Sequence, residues 1–111
     1  MTYTLIDAVQ RAADNPDTWE DCDRNAVEGQ HVKLGFVSPT PLTSPFHPDH
    51  TINTERMWVK VITVKGDTLI GVLDNKPAAF PKNVLKLGDT VVFERKNICA
   101  MMPAPEPETV H

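Results

Sequence analysis

Several residue types that mark particular classes of protein are scarce in this chain of 111 residues. Its two cysteines, Cys22 and Cys99, lie far apart without CxxC spacing, so neither a disulfide framework nor a cysteine metal site is indicated. The five glycines never fall at the spacing of a phosphate-binding loop. No apolar run approaches the roughly 20 residues that cross a bilayer, and the N-terminus does not resemble a signal peptide. These absences predict a cytoplasmic protein that has no contact with a membrane.

Length and composition predict one small domain. Of the 111 residues, 41% are apolar and 23% charged, the balance of a globular domain. Aromatic residues are few, with two Trp, one Tyr and four Phe, so we expect an aliphatic core. The last nine residues, "PAPEPETVH", hold little that could be buried. We therefore predict a single domain over residues 1–102 and a mobile Pro-rich tail over residues 103–111.

Negative charge is concentrated near the N-terminus. Residues 1–30 hold seven acids against Arg11 and Arg24, a net charge of −5, whereas the other 81 residues sum to +1, giving the overall −4. The bases beyond residue 30 are scattered singly rather than clustered, which argues against nucleic acid as a ligand. This distribution favours a protein partner with a basic surface.

The first part of the chain predicts a short helix. Leu5, Ala8, Val9 and Ala12 recur at helical spacing, Thr4 is a candidate N-cap, and the Asn15–Pro16 pair ends the pattern. We expect Leu5, Val9 and also Trp19 to reach the core of the domain.

The rest of the chain predicts strands. Alternating apolar residues mark strands at 31–37, 57–64, 68–73 and 90–94, and four prolines within residues 39–48 predict a long, stiff loop between the first two strands. The residues expected to be buried are Met57, Val59, Val61, Leu69, Leu73, Val91 and Phe93. Since no βαβ rhythm is present, the sheet should be antiparallel. We predict an α+β fold in which four or five strands curl into a partly open barrel, with the N-terminal helix packed on it.

The order of five short pieces resembles a known family. The pieces are "NPDTW", "EGQHVKLGF", "ERMWVKV", "GVLDNKP" and "LKLGDTVVFERKNI". Together they are similar to the YegJ-like family of small uncharacterised bacterial domains, over roughly residues 8–98. Two places depart from the family pattern: the acidic "EDCDRN" after Trp19 and the long Pro-rich loop. The resemblance supports the fold and implies no activity.

The histidines are the main candidates for chemistry. His47 and His50 flank Asp49, but a metal site would need a third ligand such as His31. No serine lies in a Gly-flanked elbow and no cysteine has a neighbouring histidine. We therefore predict no catalytic residue, metal or cofactor. An enzyme or metal-dependent small-molecule binder that uses these three histidines is the alternative.

The stretch "ERMWV" allows two interpretations. In the structural one, Arg56 pairs with a turn carboxylate such as Asp74 and Trp58 covers the outside of the barrel. In the functional one, both side chains join the Asn75–Pro77 corner in an exposed patch, because Trp and Arg dominate binding energy at interfaces.

The function predicted from these features is that of a small non-catalytic protein-binding module. A compact acidic domain suits an immunity-type or phage-encoded inhibitor that neutralises or accompanies another protein. Loops tolerate variation, so we expect the interface in the two departures from the family pattern. The predicted contact residues are Leu42, Phe46, Asp17, Asp21 and Asp23, with Arg56 and Trp58 at the border.

Overall fold

The protein is an α+β domain with one antiparallel sheet, as the sequence predicts. A computed structural model describes residues 2–19, 22–44 and 46–104, so most of the predicted tail lies outside the described residues. In chain order the elements are β1 (Thr4–Leu5), α1 (Ala8–Asp14), β2 (His31–Thr43), β3 (Thr51–Lys65), β4 (Thr68–Leu73), β5 (Thr90–Glu94), a 3₁₀ turn (Arg95–Asn97) and β6 (Ile98–Met101). The strand order is β1-β2-β3-β4-β5, and β6 also pairs with β2.

The connection between β5 and β6 requires the sheet to curl. The path β5-β4-β3-β2-β6 crosses four strand spacings, which would separate the two edge strands by about 19 Å in a flat sheet. The link from Glu94 to Ile98 reaches at most about 14 Å even when fully extended. Among the described strands β5 and β6 do not pair with each other. The sheet is therefore a strongly curled half-barrel, which confirms the predicted architecture.

The concave side of the sheet holds the core. All seven residues predicted to be buried are at most 2% exposed. A bulge at Ile62, between the pairs Val61↔Gly71 and Thr63↔Ile70, shifts the alternation so that Val64 also packs against this core. Phe80 and Leu85, from the connection between β4 and β5, are buried in the same cluster.

The N-terminal segment differs from its prediction. Thr4 and Leu5 are held extended as β1 by pairing with β2, so Leu5 reaches the core from a strand rather than from a helix. The helix begins later, where the Asp7 carboxylate accepts the backbone N–H of Gln10 at 3.0 Å. Only Ala8 of α1 is buried, and Val9 is 49% exposed, so the prediction for Val9 is wrong.

The Pro-rich segment is mostly strand rather than loop. The register jumps from Val37↔Thr54 to Leu42↔Ile52, so residues 38–41 lie opposite the single residue Asn53. Pro39 and Pro41 fall in this bulge, where no N–H is needed for the ladder. The predicted long loop shrinks to a hairpin tip at residues 44–50.

The hairpin of β2 and β3 sets the long axis of the molecule. β3 has 15 residues, which span about 50 Å of extended strand, and the longest dimension of the protein is 54 Å. The radius of gyration is 14.9 Å, against about 13 Å for a compact chain of this length. The hairpin tip therefore lies at one end of an elongated domain.

Candidate functional site

Glu55 of the motif "ERMWV" contacts the three residues that follow Pro77 of the motif "LDNKP". Its carboxylate accepts the backbone N–H groups of Ala78, Ala79 and Phe80 at 2.6, 3.0 and 3.3 Å. Three donors on one ionised acceptor are a strong local tie, since charge-assisted hydrogen bonds are about twice as strong as neutral ones. The contact holds the chain at the point where Phe80 enters the core. Glu55 therefore has a structural role.

Trp58 is part of the same corner. Its backbone N–H donates to Asn75 Oδ1 at 3.2 Å, and Lys33 Nζ lies 4.9 Å from the centre of its ring. The side chain is half-buried on the convex face of the sheet. The predicted proximity of Trp58 and Asn75 is therefore present in the fold.

The predicted pair of Arg56 and Asp74 is wrong. Asp74 Oδ2 lies 2.7 Å from Nε2 of His31, which brings the ends of β2 and β4 together. Arg56 instead lies opposite Gly35 of β2, and its guanidinium carbon is 4.3 Å from the centre of the Trp19 ring. The physical reason is that the aromatic face of Trp19 offers the cation a partner that charge matching within the motif does not consider.

A small cavity adjoins the Trp19 ring. It has a volume of about 240 Å³ and is lined by Thr18, Trp19, Arg56, Cys99 and Ala100. The guanidinium of Arg11 lies on the same ring, 5.5 Å from its centre. Cys99 is buried, and burial raises the pKa of its thiol, an effect that the nearby Arg56 partly offsets. The thiol is therefore neutral at pH 7, while both arginines are charged.

The hairpin tip carries the most exposed aromatic side chain among the described residues. Phe46 is 83% exposed. The tip is closed by backbone hydrogen bonds from Ser44 to His50 at 3.2 Å and from His50 to His47 at 2.9 Å. The Ser44 hydroxyl also accepts the N–H of His47 at 3.3 Å. Phe46 is thus presented to solvent by a turn that has its own hydrogen bonds.

The remaining predicted contact residues do not form one edge with Phe46. Leu42 is 6% exposed and belongs to the core, because the bulge at residues 38–41 turns it inward beside Ile52, so it cannot contact a partner. Arg56 and Trp58 lie five and seven positions along β3 from Thr51, about 17 and 23 Å of strand away from the tip.

The predicted acidic residues lie apart from the tip in sequence, and those described are accessible. Asp17 and Asp23 are exposed, and Asp23 accepts the N–H of Asn25 at 3.0 Å. Asp17 lines a groove of about 770 Å³ that runs along α1 next to Trp19. Asp21 lies outside the described residues.

The three histidines of the alternative interpretation are not brought together. His31 is at the start of β2 and contacts Asp74, whereas His47 and His50 follow the end of that strand. The rings of His47 and His50 meet edge to face with centres 5.8 Å apart. Within residues 2–19, 22–44 and 46–104, no group of three or more His, Cys, Asp or Glu side chains could hold a metal ion.

Two features could not be found from the sequence. The Trp19 ring with its two arginines joins residues that share no periodicity, because they come from α1, the segment after it and β3. A second groove, of about 350 Å³, combines apolar and basic side chains of the β4–β5 connection. Its lining is Lys76, Pro77, Phe80, Lys82, Leu85, Lys86 and Leu87. The sequence of the β4–β5 connection, which is rich in lysine and proline, did not indicate that its residues would line a groove.

Near this second groove, Asp89 holds the turn before β5. Its carboxylate accepts the backbone N–H of Lys86 at 2.9 Å, and this bond is the main cause that lowers the pKa of Asp89. The pKa of Tyr3 is raised, first by burial and then by the negative charge of Asp89.

Comparison with known proteins places the chain in a family without assigned chemistry. The family model described as an uncharacterised protein conserved in bacteria (DUF2314) matches residues 8–110. No curated protein and no solved structure matches the sequence. No described helix is both long enough and apolar enough to cross a membrane.

Proposed function

We propose that this chain, which belongs to the DUF2314 family of uncharacterised proteins conserved in bacteria, is a non-catalytic module that binds another protein through the tip of the β2–β3 hairpin. The observation that carries the proposal is the 83% exposure of Phe46 on that tip. We also propose that this family is the YegJ-like group that the "ERMWV" and "LDNKP" motifs resemble.

A phenylalanine in this position is a suitable anchor for a partner. Burying an exposed aromatic side chain of this size in a partner's pocket favours binding by a free energy on the order of 1.5 to 3 kcal/mol. Binding energy at protein interfaces is concentrated in a few large side chains that fill pockets on the other surface. One inserted Phe46 would therefore supply a measurable share of the affinity.

The turn that carries Phe46 lowers the entropic cost of binding. Ser44, His47 and His50 are joined by three hydrogen bonds within seven residues. Pro48 further restricts the backbone next to them. A segment that already holds its bound shape loses less conformational freedom on contact.

The acidic N-terminal part supplies long-range attraction rather than the anchor. Asp17, Asp21 and Asp23 belong to the 30 residues whose net charge is −5. Such a field accelerates encounter with a basic surface even when the charges are not at the contact. A small acidic domain of this kind suits an immunity-type or phage-encoded inhibitor. We propose a cytoplasmic setting, for which the support is that Cys22 and Cys99 do not form a disulfide.

The test is photo-crosslinking from the position of Phe46. A photoreactive phenylalanine analogue replaces Phe46 in one protein and Val92 in a second, since Val92 is also exposed, at 61%, but lies on β5. Both proteins are expressed in the native host and irradiated. We expect a defined crosslinked protein from position 46 that position 92 does not capture.

Binding of the captured protein to purified variants then measures the anchor. Phe46→Ala should weaken affinity by about tenfold or more, mainly through faster dissociation, whereas Val92→Ala should change it by less than about twofold. Equal crosslinks from both positions, or an unchanged affinity of Phe46→Ala, would exclude the tip as the interface.

Charge reversal tests the contribution of the acids. Replacing Asp17, Asp21 and Asp23 by Lys should slow association with the same partner and reduce its dependence on salt, with little change in the dissociation rate. Lys substitution at the exposed Glu94 on β5 is the control outside the acidic segment. The control should change the association rate much less than the triple substitution. If the triple substitution leaves the association rate unchanged, the partner surface is not basic.

A further inference from the structure

We infer that the groove formed by the β4–β5 connection docks an acidic peptide segment of another protein, one that carries an apolar side chain next to its carboxylates. The groove has a volume of about 350 Å³ and shares none of its lining residues with the hairpin tip. The inference therefore does not depend on the proposed function.

The first observation is the length of the connection that forms the groove. Residues 74–89 lie between the end of β4 and the start of β5 and contain no helix or strand. Irregular connections longer than about 12 to 15 residues are uncommon in small compact domains, and those that occur are usually binding or active-site loops. The length of this connection thus favours a function beyond joining two strands.

The groove is formed before any partner binds, because both ends of the connection are tied to the sheet. Near its start, the carboxylate of Glu55 accepts the backbone N–H groups of residues 78–80 at 2.6 to 3.3 Å. Near its end, the N–H of Gly88 donates to the backbone oxygen of Leu73 at 2.8 Å. A groove held in this way loses little conformational freedom when a peptide enters it.

The second observation is local positive charge in an acidic protein. Lys76, Lys82 and Lys86 all line the groove. Residues 76–88 contain no acid, so this segment carries a charge of +3 in a chain whose net charge is −4. Lys86 pairs with Asp89 at 3.2 Å, whereas Lys76 and Lys82 form no ion pair in the part of the chain that the structure describes. Carboxylates are the groups that complement these two lysines.

The third observation is the apolar surface beside the lysines. Leu87 is 48% exposed in the wall of the groove, and Phe80 and Leu85 also line the groove, although both belong to the core. An apolar side chain of the peptide would remove this surface from water. A nucleic acid is a poorer match, because its affinity comes from contacts of many cations with phosphates.

The experiment selects ligands from a library of random linear peptides displayed on phage, with the immobilised protein as the target. A parallel selection uses the double variant Lys76→Gln, Lys82→Gln. We expect the native protein, but not the variant, to enrich peptides in which Asp or Glu flanks an aromatic or aliphatic residue. The most enriched peptide is then synthesised and titrated into ¹⁵N-labelled protein, and the largest shifts should fall on the amides of residues 76–88.

Matched variants separate the groove from the general charge of the protein. The double variant Lys76→Gln, Lys82→Gln should weaken binding of the synthetic peptide by about tenfold. Leu87→Ser should weaken it by about fivefold, because the apolar contact is lost. The double variant Lys60→Gln, Lys65→Gln removes the same charge from exposed positions of β3 outside the groove and should change the affinity by less than about twofold.

Three outcomes would overturn the inference. One is a selection that enriches no acidic peptide, or enriches the same peptides on the double variant of the groove. Another is sedimentation that shows a dimer which this variant abolishes, because the occupant is then a second copy of the chain. The last is a change in the amide resonances of residues 76–88 when residues 103–111 are deleted, which assigns the groove to the chain's own tail. The dispersion of the remaining amide resonances verifies that each variant is folded.

Discussion

At the scale of single residues, Glu55 connects two distant parts of the chain. Its carboxylate is the acceptor for three consecutive backbone N–H groups, those of Ala78, Ala79 and Phe80. Backbone donors that lose their acceptor must be satisfied by water, which Phe80, at 4% exposure, excludes from its surroundings. The residue therefore stabilises the connection between β4 and β5 rather than offering a reactive group.

Replacing Glu55 by Ala should lower the free energy of unfolding by about 2 to 3 kcal/mol, because charge-assisted hydrogen bonds to three donors are lost. Urea denaturation measures the effect. Asp67→Ala is the control, since that carboxylate is 92% exposed and lies 3.6 Å from Arg95, a surface contact worth less than about 1 kcal/mol. Equal losses in the two variants would show that Glu55 does not hold the connection.

The two cysteines should differ in reactivity. Burial raises the pKa of the Cys99 thiol, so at a given pH a smaller fraction is the reactive thiolate than in an ordinary cysteine, whereas Cys22 is only partly buried. With a disulfide reagent at pH 8, the Cys22→Ser protein should react at least about tenfold more slowly than Cys99→Ser. The rate of Cys99 should still rise above pH 9, where an ordinary thiol levels off.

A second variant locates the cause of this protection. Trp19→Ala opens the cavity wall and should accelerate the reaction of Cys99 without changing that of Cys22. If both cysteines react at the same rate in the native protein, the packing of Trp19 against the convex face is not stable in solution.

At the scale of elements, β3 and β4 approach each other closely at Gly71. Gly71 pairs with Val61, and a Cβ atom at this position would lie 2.7 Å from the backbone oxygen of Lys60 and 2.5 Å from a methyl of Val59. Backbone atoms cannot move away as a flexible side chain does. The two strands therefore require a residue without a side chain here.

Gly71→Ala should reduce the stability by about 1 to 3 kcal/mol because it overpacks the core side of the pairing. Gly66→Ala is the comparison, since the φ angle of 62° at this turn is strained for Ala but no atom lies within 4 Å of the added carbon. That strain alone costs about 1 to 2 kcal/mol. Thermal and urea unfolding should rank Gly71→Ala as the more harmful change, and the reverse order would contradict the close approach.

At the scale of the whole molecule, long-range hydrogen bonds close the half-barrel. Arg95 donates to the backbone oxygens of Gly66 and Arg24, at 3.1 and 2.9 Å, and so joins the β3–β4 turn to the segment before β2. Gln30, which is 5% exposed, donates to the oxygen of Met102 at 2.8 Å. The end of β6 is thus tied to the beginning of β2, and Met102 belongs to the fold.

Deleting residues 103–111 should leave the thermal midpoint within about 2 °C, because a Pro-rich segment with few apolar side chains buries little area and the described hydrogen bonds between the ends of β6 and β2 reach only to Met102. Deleting Met102 as well removes the acceptor of Gln30 and the bond from the Met102 N–H to His31, so the midpoint should fall by about 4 to 8 °C or more. Calorimetry on the two truncated proteins measures the difference. A large decrease with the shorter deletion would show that the tail docks on the domain.

The sequence by itself determined the four strands near residues 31–37, 57–64, 68–73 and 90–94, their antiparallel order and much of the core, but not β1 or β6. Residues such as Met57, Val59 and Phe93 alternate with polar neighbours, and this pattern is local, because successive side chains of a strand point to opposite faces. Prediction from this pattern failed where pairing with a neighbouring strand overrode the local conformational preference of the residues. Thr4 and Leu5 form a strand because β2 holds them, and prolines enter β2 because a bulge removes the need for their N–H groups.

The partners of polar side chains were decided only by the tertiary structure. The alternation of apolar and polar residues assigns Arg56 to the convex face but does not predict which residue it contacts there. That residue is Trp19, which is 37 positions away in sequence. The acceptor role of Glu55 and the pairing of His31 with Asp74 likewise depend on how far the sheet curls. That curvature follows from the short link between β5 and β6, a constraint on distance in space that no local pattern contains.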